Sequence, residues 1–305
     1  MTKKIILFII FFSPFLSFGQ REIFTNTFLS LDNENQFNLR SYQGYYTELD
    51  SLLKKDSVFI KNKSFVGIAN GVRYYTTNPG EPTYFFNEGK IFIKTNPFKK
   101  LHLQFNPSIL RSNNFNTFSY EFSSYYQHKK WYIEISSERD LVGARALQVN
   151  LISNYYGISI DYSPVKNLTL VGGYQYNYIT DNNKRNFYLT RIIYTLPNEK
   201  IYFDFRTKNM KGGIWSEYYF SPESISQQQI GIGFSQTFLN GRSSFKGYLG
   251  GGIQKIDNQS MYLLVCDFKL KTNIYKNLSG ESSLGIRNFN TYIYGFCDLK
   301  LKYNF

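Results

Sequence analysis

Polar and apolar residues alternate along most of the chain between residues 64 and 305. In the stretch LHLQF (101–105), the leucines and the phenylalanine fall on one face, and the histidine and the glutamine fall on the other. The stretch IYFDFRTK (201–208) sets isoleucine and two phenylalanines against tyrosine, aspartate and arginine. A period of two is typical of β-strands whose two faces meet different surroundings.

Turn residues separate the alternating runs and set the number of strands. Clusters of Pro, Gly, Asn and Asp lie near Pro97, Pro164, Asn182, Pro197 and Asn240, and such clusters connect neighbouring antiparallel strands. The sequence therefore predicts an all-β fold, an up-and-down antiparallel sheet of about 14 strands, or up to 16 if one long run divides. The predicted strands span residues 64–76, 83–95, 99–110, 116–126, 130–138, 146–162, 167–180, 186–196, 200–208, 228–239, 243–255, 260–272, 278–288 and 291–305.

The region from residue 20 to residue 63 shows no strong period. Its stretch YYTELDSLLKKDS (45–57) is compatible with one short helix, and LDNENQFN before it has the composition of a loop. We therefore expect residues 20–63 to form a short N-terminal segment, or a plug, outside the main sheet.

A soluble barrel and a transmembrane barrel are the two ways to close such a sheet, and three features favour the transmembrane one. The predicted strands are long enough to cross a bilayer when tilted. Aromatic residues crowd their ends, as in SYYQHKKWY (124–132), which fits an interfacial girdle. The polar faces also carry charges that a dry core would bury at a cost of several kcal/mol each, namely Glu134, Asp161, Asp204, Arg206, Lys246, Glu281 and Arg287.

The first nineteen residues resemble a secretory signal peptide. Lys3 and Lys4 precede an apolar run that ends near Leu16, and Ser17 and Gly19 provide small residues for cleavage before Gln20. The run is too short for a membrane-spanning helix. The sequence therefore predicts export, a cleaved segment 1–19, and a barrel formed by residues 64–305 in the outer membrane.

Connection lengths support this orientation. If the N-terminus is periplasmic, every second connection is periplasmic, and the predicted ones near residues 97, 128, 164, 198, 241 and 274 are all short. The longest connection, about 209–227, then lies outside the cell, where long loops of such barrels are expected.

The C-terminal stretch DLKLKYNF (298–305) alternates without error and ends on an aromatic residue. It resembles the C-terminal signature of outer-membrane barrels, which the barrel-assembly machinery reads. The resemblance implies that Leu299, Leu301, Tyr303 and Phe305 form an assembly signal on the lipid face.

Composition refines the choice of partners. Aromatics make up 19% of the residues, with 27 Tyr and 29 Phe, while the mean hydropathy is only −0.35. The formal net charge of +13 includes Lys3 and Lys4. A positive exported surface favours lipopolysaccharide, besides membrane lipid, as a partner, and nothing in the sequence resembles a nucleic-acid-binding module. The two cysteines, Cys266 and Cys297, either pair or stay as buried thiols.

The sequence offers few residues that could serve as catalytic bases or metal ligands. Only His102 and His128 are available as histidine ligands or bases, and a lipid-modifying barrel would need His102 beside Ser119 or Ser123. No recognisable motif surrounds them, and clustered metal ligands are missing from the sequence. We therefore predict no catalytic residue, no metal site and no cofactor.

Two stretches resemble the barrels that secrete exopolysaccharides of the cellulose and poly-N-acetylglucosamine type. They are SSERDLVGARAL (136–147) and GIWSEYYFSPESISQQQIGIGFSQTF (213–238). The matching positions are the dipeptide Glu138-Arg139, which leaves a strand, and the turn formed by Tyr219, Phe220, Ser221 and Pro222, which the topology places in an extracellular loop. The resemblance implies a polysaccharide substrate and a separate periplasmic scaffold protein as partner.

These observations predict an outer-membrane channel for a polar substrate, with exopolysaccharide export as one candidate. A non-conducting barrel that holds a partner or lipopolysaccharide is the alternative, and a lipid-modifying enzyme is a third possibility. Tyr174, Tyr176 and Tyr178 are assigned to the lipid face. The residues predicted to line the substrate path are Glu138, Arg139, Tyr202, Asp204, Arg206, Tyr248, Arg287, Tyr292 and Tyr294.

Overall fold

The computed structural model describes residues 21–32, 36–48, 64–77, 81–98, 100–113, 115–197, 200–289 and 292–305. The predicted signal peptide lies outside these residues. Among the described residues, no helix is long and apolar enough to cross a membrane.

Sixteen antiparallel strands form one closed barrel in which each strand pairs with its neighbours in sequence and β1 pairs with β16. In chain order, the strands β1 to β16 are Arg21–Asp32, Phe37–Glu48, Phe65–Thr76, Tyr84–Phe98, Leu101–Arg111, Asn116–His128, Trp131–Leu141, Ile152–Val165, Leu168–Ile179, Lys184–Thr195, Ile201–Lys211, Ser224–Phe238, Ser243–Ile256, Gln259–Asn273, Leu278–Phe289 and Tyr292–Asn304. A short 3-10 helix, Arg145–Val149, lies between β7 and β8.

The prediction of an all-β, antiparallel, up-and-down barrel is confirmed, and the predicted number of about 14 strands is too low. The two missed strands, β1 and β2, lie inside the region 20–63 that was assigned to a separate segment or plug, so that assignment is wrong for both. The proposed helix at 45–57 overlaps the end of β2, and its remainder lies outside the described residues.

Aromatic residues on the inner face explain why β1 and β2 were missed. Phe24 in β1 packs against Tyr42 and Tyr46 in β2 and against Phe92 in β4, with ring centroids 4.8–6.0 Å apart. These rings form a buried cluster inside the barrel. Because apolar side chains occupy both faces of these two strands, the polar and apolar alternation that reveals the other strands is weak here.

The closure between β1 and β16 leaves no open edge. Cα partners run from Glu22 opposite Asn304 to Asp32 opposite Tyr294. Lys302 Nζ donates to Glu22 Oε1 at 3.0 Å across this seam. The start of β1 and the end of β16 therefore lie at the same end of the barrel, which we call the terminal end, and the opposite end is called the loop end.

The two faces of the wall differ in chemistry. The outer face is a belt of large apolar side chains that no protein atoms cover, including Ile68, Ile91, Ile158, Ile192, Phe205, Ile232, Leu264, Ile286, Leu299 and Leu301. The inner face carries the buried charges, including Arg73, Glu88 and Asp204, each 1% exposed. The predicted assignment of Leu299, Leu301 and Tyr303 to the outer face, and of Asp298, Lys300 and Lys302 to the inner face, agrees with the register of β16.

Connections at the terminal end are short, except for the one that joins β2 to β3. That connection runs from residue 49 to residue 64 and is longer than residues 212–223, the predicted longest connection. The six connections predicted at this end, near residues 97, 128, 164, 198, 241 and 274, are short as predicted, whereas the prediction that 209–227 is the longest connection is wrong. The predicted strand 146–162 also begins later, at Ile152, because residues 145–149 form the 3-10 helix.

Candidate functional site: the barrel lumen

A network of ion pairs fills one side of the lumen. Arg73 on β3 binds Glu88 on β4 through two guanidinium nitrogens, at 2.8 and 2.9 Å, and also contacts Asp140 on β7. Arg40 on β2 contacts both Glu88 Oε1, at 3.0 Å, and Glu121 Oε1, at 3.1 Å. We call this set of residues the Arg73–Glu88 network. Its guanidinium–carboxylate pairs have the forked geometry that gives the strongest charge-assisted hydrogen bonds.

The network joins distant parts of the wall. Glu121 lies on β6, four strands from Arg40, and it also accepts hydrogen bonds from Lys90 Nζ at 2.6 Å and from Asn106 Nδ2 at 3.0 Å. Side chains that bridge β2 and β6 must cross the interior of the barrel. This side of the lumen is therefore occupied by protein, and Arg73, Glu88, Lys90 and Asn106 are all buried.

A second group of polar residues lies on β10 to β13. Asp204 Oδ2 forms ion pairs with Arg191 Nη2, at 2.7 Å, and with Arg206 Nη2, at 3.1 Å. The rings of Tyr202 and Tyr248 stack with centroids 6.4 Å apart and planes 17° apart. Three of the residues predicted to line the substrate path, Tyr202, Asp204 and Tyr248, are thereby brought together on the inner face.

Glycines make room for these two tyrosine rings. A Cβ atom placed on Gly233 would lie 2.0 Å from the ring of Tyr202, and one placed on Gly231 would lie 2.2 Å from the Tyr248 hydroxyl. The hydroxyl of Tyr248 also accepts a 2.6 Å hydrogen bond from Gln229 Nε2. Each ring therefore lies flat against a neighbouring strand, and the lumen beside it stays open.

Cations gather on the wall beside these rings. Arg206, Lys208 and Arg287 line a cavity of about 230 Å³ together with Asp267. Arg206 and Lys208 come from β11, and Arg287 comes from β15. The lining of the cavity comes from β9 to β12 and from β14 and β15.

Carboxylates are the charged groups on the inner faces of β6 to β8, and two of them, Glu121 and Asp140, belong to the Arg73–Glu88 network. On the inner faces of β6, β7 and β8, as far as the structure describes these strands, the charged residues are Glu121, Glu134, Glu138, Asp140 and Asp161, with no lysine or arginine among them. Glu134, Glu138 and Asp161 are partly exposed to the lumen. Charged side chains that remain accessible in this way require water around them.

A cavity at the loop end of the lumen, about 500 Å³ in volume, forms a vestibule. Its walls come from β1, β2 and β16 on one side and from β7 to β10 on the other, so it extends across the barrel. Aromatic and amide side chains line it, including Tyr155, Tyr219, Tyr294, Asn38 and Asn177.

The connection from residue 212 to residue 223, which we call the β11–β12 loop, is held over this vestibule by Asn183. Asn183 Nδ2 donates to Ile214 O at 2.7 Å and to Tyr219 Oη at 2.9 Å, and Ile214 N donates to Asn183 Oδ1 at 3.1 Å. The ring of Tyr219 also lies 5.0 Å from the guanidinium of Arg185. A Cβ atom on Gly213 would clash with Pro222 O at 1.8 Å, so only glycine fits this close approach.

Tyr219 is further fixed by Asp181, whose carboxylate accepts the phenol hydrogen bond. Burial and this hydrogen bond raise the pKa of Tyr219. The phenol therefore remains a proton donor at neutral pH, and the loop stays attached to the β9–β10 turn.

The segment from residue 142 to residue 151 covers the other half of the mouth. Its Leu147 is buried with Leu141 against Phe86 on β4 and Leu110 on β5. Its Ala146 and Leu151 pack with Ile179, and Tyr218 and Tyr219 lie against that cluster. The two connections thus contact each other, and both line the vestibule.

Most of the residues predicted to line the substrate path do lie on the inner face, namely Glu138, Tyr202, Asp204, Arg206, Tyr248, Arg287 and Tyr294. Arg139 is the exception, and its assignment to the lumen is wrong. It lies on the outer face because adjacent residues of a strand point to opposite sides, and it donates to Asn154 Oδ1 at 3.0 Å and to Phe118 O at 3.2 Å. The side chain of Tyr292 lies outside the described residues.

The alternation of polar and apolar residues does not single out the residues of the Arg73–Glu88 network or Asn183. Arg73 and Glu88 lie in the predicted strands, but nothing in a period of two indicates which charges will meet across a barrel. Asn183 belongs to the turn cluster TDNNK, where an asparagine is expected for turn formation alone.

His102 and Ser119, two of the residues considered for catalysis, have other partners. His102 stacks on Tyr125 with ring centroids 4.3 Å apart, and the Ser119 hydroxyl bonds that of Ser108 at 2.8 Å. Cys266 and Cys297 are free thiols, which answers the open question of a disulfide. Within the described parts of the chain, no group of three or more His, Cys, Asp or Glu side chains is arranged to hold a metal ion.

Comparison with known proteins places the barrel in structural context. No protein-family model matches the chain, and no curated protein matches its sequence. A solved structure described as a bacterial polysaccharide outer membrane secretin matches over 93% of this chain and 98% of its own, with a TM-score of 0.72 and 12% identity. Pseudomonas aeruginosa OccK5 (OpdH) matches over 93% and 97%, with a TM-score of 0.51 and 9% identity.

Pseudomonas aeruginosa OpdQ is similar over 94% of this chain and 98% of its own, with a TM-score of 0.50 and 10% identity. At these identities the likeness concerns the fold alone. The chain shares the closed antiparallel barrel of proteins that include an outer-membrane secretin.

Proposed function

We propose that this protein is an outer-membrane channel that passes a polar solute through its lumen. The single observation that carries the proposal is the inverted polarity of the wall, which is apolar outside and charged inside. Leaving one large apolar side chain in water forgoes roughly 1.5–3 kcal/mol of burial, and the outer belt contains many of them. Such a belt is stable only when lipid covers it. In a barrel without open edges, every backbone N–H and C=O group of the wall also has a hydrogen-bond partner.

The path through the channel follows the wall from β7 to β15. Inner residues of this wall, such as Glu134, Asp161, Gln175 and Arg191, remain partly exposed, whereas the β3 to β5 wall is buried under the Arg73–Glu88 network. A solute therefore has room beside the part of the wall that the network leaves uncovered. This favours a slender, hydrated chain or a small polar molecule over a folded domain.

Carbohydrate is the substrate class that this lining favours. Sugar rings offer hydroxyls to amides and carboxylates and an apolar face to aromatic rings. The vestibule provides both, through Asn38 and Asn177 and through Tyr155, Tyr219 and Tyr294. The likeness in fold to a polysaccharide secretin is in keeping with export of an exopolysaccharide.

The same proposal includes the cellular context. We infer export by the segment 1–19, insertion by the barrel-assembly machinery through the C-terminal signal at Leu299, Leu301, Tyr303 and Phe305, and contact of the basic surface with lipopolysaccharide. A periplasmic scaffold protein would deliver the polysaccharide to the terminal end.

Single-channel recording tests the channel function. Purified, folded protein is inserted into planar lipid bilayers, and discrete conductance steps are expected, with brief closures when a neutral oligosaccharide is added to one side. Heat-denatured protein is the control. Silence over many insertions of protein whose folding is verified by its gel mobility would contradict the proposal.

A non-conducting barrel is the second candidate, because segment 142–151 and the β11–β12 loop both occupy the mouth. A variant in which Gly-Ser residues replace 144–149 separates the two. If the wild type is silent and this variant conducts, the protein is a plugged barrel, whereas similar conductance in both supports an open channel.

A further inference from the structure

Three cations converge on one side of the lumen without a matching number of carboxylates. Arg206 and Lys208 on β11 and Arg287 on β15 line the same cavity of about 230 Å³. Asp267 is the carboxylate in its lining. Arg206 is partly neutralised by Asp204, but Asp204 is shared with Arg191. The cavity is therefore net positive.

Lys208 and Arg287 have aromatic rings for neighbours instead of acids. Lys208 Nζ lies 5.1 Å from the ring of Phe187, and the guanidinium of Arg287 lies 5.7 Å from the ring of Phe296. No carboxylate of the described residues lies within ion-pair distance of either cation. Contacts of this kind hold a cation in place without cancelling its charge.

One donor at the cavity also lacks an acceptor. The Nε atom of Arg206 is buried and has no hydrogen-bond partner among the described atoms. Gln227 Nε2 donates to Gln229 Oε1 at 3.0 Å, and Gln229 Nε2 donates to Tyr248 Oη at 2.6 Å. The two amides are thus anchored by the Tyr248 hydroxyl, and Gln227, at the other end of this hydrogen-bond chain, lines the cavity.

We propose that this cavity is a binding subsite for a carboxylate carried on the polar solute, such as the carboxylate of an acidic sugar unit. A guanidinium fork matches the two oxygens of a carboxylate, and an ammonium adds a third donor. Phe187 and Leu189 form an apolar side of the cavity against which a sugar ring can lie. This inference rests on the proposed channel function, and it identifies the charge of the substrate.

The distribution of charge around the lumen favours the same assignment. The acidic wall of β6 to β8 and the cationic cavity lie on different parts of the circumference. A carboxylate is attracted to the cavity and repelled by the acidic wall, so it is held to one side of the path. A neutral sugar experiences neither force.

Binding and conduction are measured separately to test the subsite. Isothermal titration of the detergent-solubilised protein compares trigalacturonate with its uncharged methyl ester, which has the same rings. Bilayer recordings then compare how strongly the two compounds block the current. We expect the wild type to bind the acid and to be blocked by it, with at least about tenfold weaker effects for the ester.

Three substitutions locate the subsite. Arg287→Gln and Lys208→Gln each remove one cation and are expected to weaken trigalacturonate binding by about tenfold or more. Arg287→Lys keeps the charge and should retain part of the affinity. Lys255→Gln removes a cation from the outer face of β13 and should leave affinity and block unchanged. Gel mobility of the unheated variants verifies that they fold.

Several results would overturn the assignment. Equal binding of acid and ester, or unchanged affinity in both Arg287→Gln and Lys208→Gln, excludes a subsite in this cavity. Inorganic phosphate that competes more strongly than trigalacturonate excludes the carboxylate class. Selective binding of trigalacturonate by a protein that never conducts would support the subsite and contradict the channel function. Conduction without selectivity between acid and ester would support the channel function and contradict the subsite.

Discussion

Asn183 and Ile214 form two hydrogen bonds with each other. The side-chain amide in the β9–β10 turn thereby binds both the backbone N–H and the backbone C=O of one residue in the β11–β12 loop. Ile214 N donates to Asn183 Oδ1 at 3.1 Å, and Asn183 Nδ2 donates to Ile214 O at 2.7 Å. Asn183 is 2% exposed, so water cannot replace these bonds without a movement of the loop. One side chain thus fixes the loop that covers half of the vestibule.

Asn183→Ala should therefore release the β11–β12 loop without unfolding the barrel. Each lost hydrogen bond to a buried partner contributes about 0.5–1.5 kcal/mol. We expect hydrogen exchange of the Ile214 amide to become at least about tenfold faster, while the amides of β11 keep their protection. Hydrogen-exchange mass spectrometry measures both.

Asn87→Ala is the matched control for this substitution, because Asn87 is exposed on the outer side of β4. Its exchange profile should equal that of the wild type. An unchanged profile in Asn183→Ala would show that other contacts hold the loop.

Arg73→Gln should strongly destabilise the barrel. The substitution leaves Glu88, which is 1% exposed, with Arg40 as its remaining guanidinium partner. Breaking a buried ion pair by removing one partner costs about 3–5 kcal/mol. Denaturant unfolding in detergent or lipid, followed by tryptophan fluorescence, measures the loss.

Lys302→Gln provides the comparison, since its ion pair with Glu22 is partly exposed. Such pairs contribute about 0–1 kcal/mol. Similar losses in the two variants would mean that the Arg73–Glu88 network adds no special stability.

Gly231→Ala should displace the ring of Tyr248 and narrow the lumen. The added Cβ atom would lie 2.2 Å from the Tyr248 hydroxyl, so the ring must leave the wall and the 2.6 Å hydrogen bond from Gln229 must break. We expect a destabilisation of about 1–3 kcal/mol and a smaller single-channel conductance.

Two further variants serve as the control and the rescue for Gly231→Ala. Gly172→Ala places its Cβ in open space and should leave both quantities unchanged. Gly231→Ala combined with Tyr248→Ala should regain conductance, because the displaced ring is removed. A conductance loss that persists in the double variant would point to a distorted strand.

Ile232→Arg tests whether lipid covers the outer belt. Ile232 is exposed in the middle of the wall, with Phe203 and Leu249 as its partners on the flanking strands. An arginine on the lipid face near the bilayer midplane costs about 2–4 kcal/mol. Equilibrium folding into liposomes measures this cost. Trp215→Arg, an exposed position of the β11–β12 loop, should cost far less, and equal effects would contradict a membrane-spanning belt.

Period two predicted the barrel because lipid and water impose opposite demands on neighbouring side chains. This alternation correctly places Leu301 on the outer face and Asp204 on the inner face. It failed where the inner wall is itself apolar, as at Phe24 and Tyr46, because rings there pack on each other instead of meeting water.

The candidate site could be predicted only in part. Alternation shows that Arg206 and Arg287 face inward, but β11 and β15 are four strands apart, and their meeting in one cavity depends on the curvature of the wall. Arg139 does not face inward with Glu138, because neighbours in a strand cannot share a face.

The seam between β1 and β16 also determines when the protein can be completed. Lys302 and Glu22 are 280 residues apart in sequence, and they meet only when the two ends of the chain come together. Loop-closure entropy opposes such a contact until all other strands are in place. Until that contact forms, β1 and β16 are the two unpaired edges of an open sheet, and such edges can pair with other chains and aggregate.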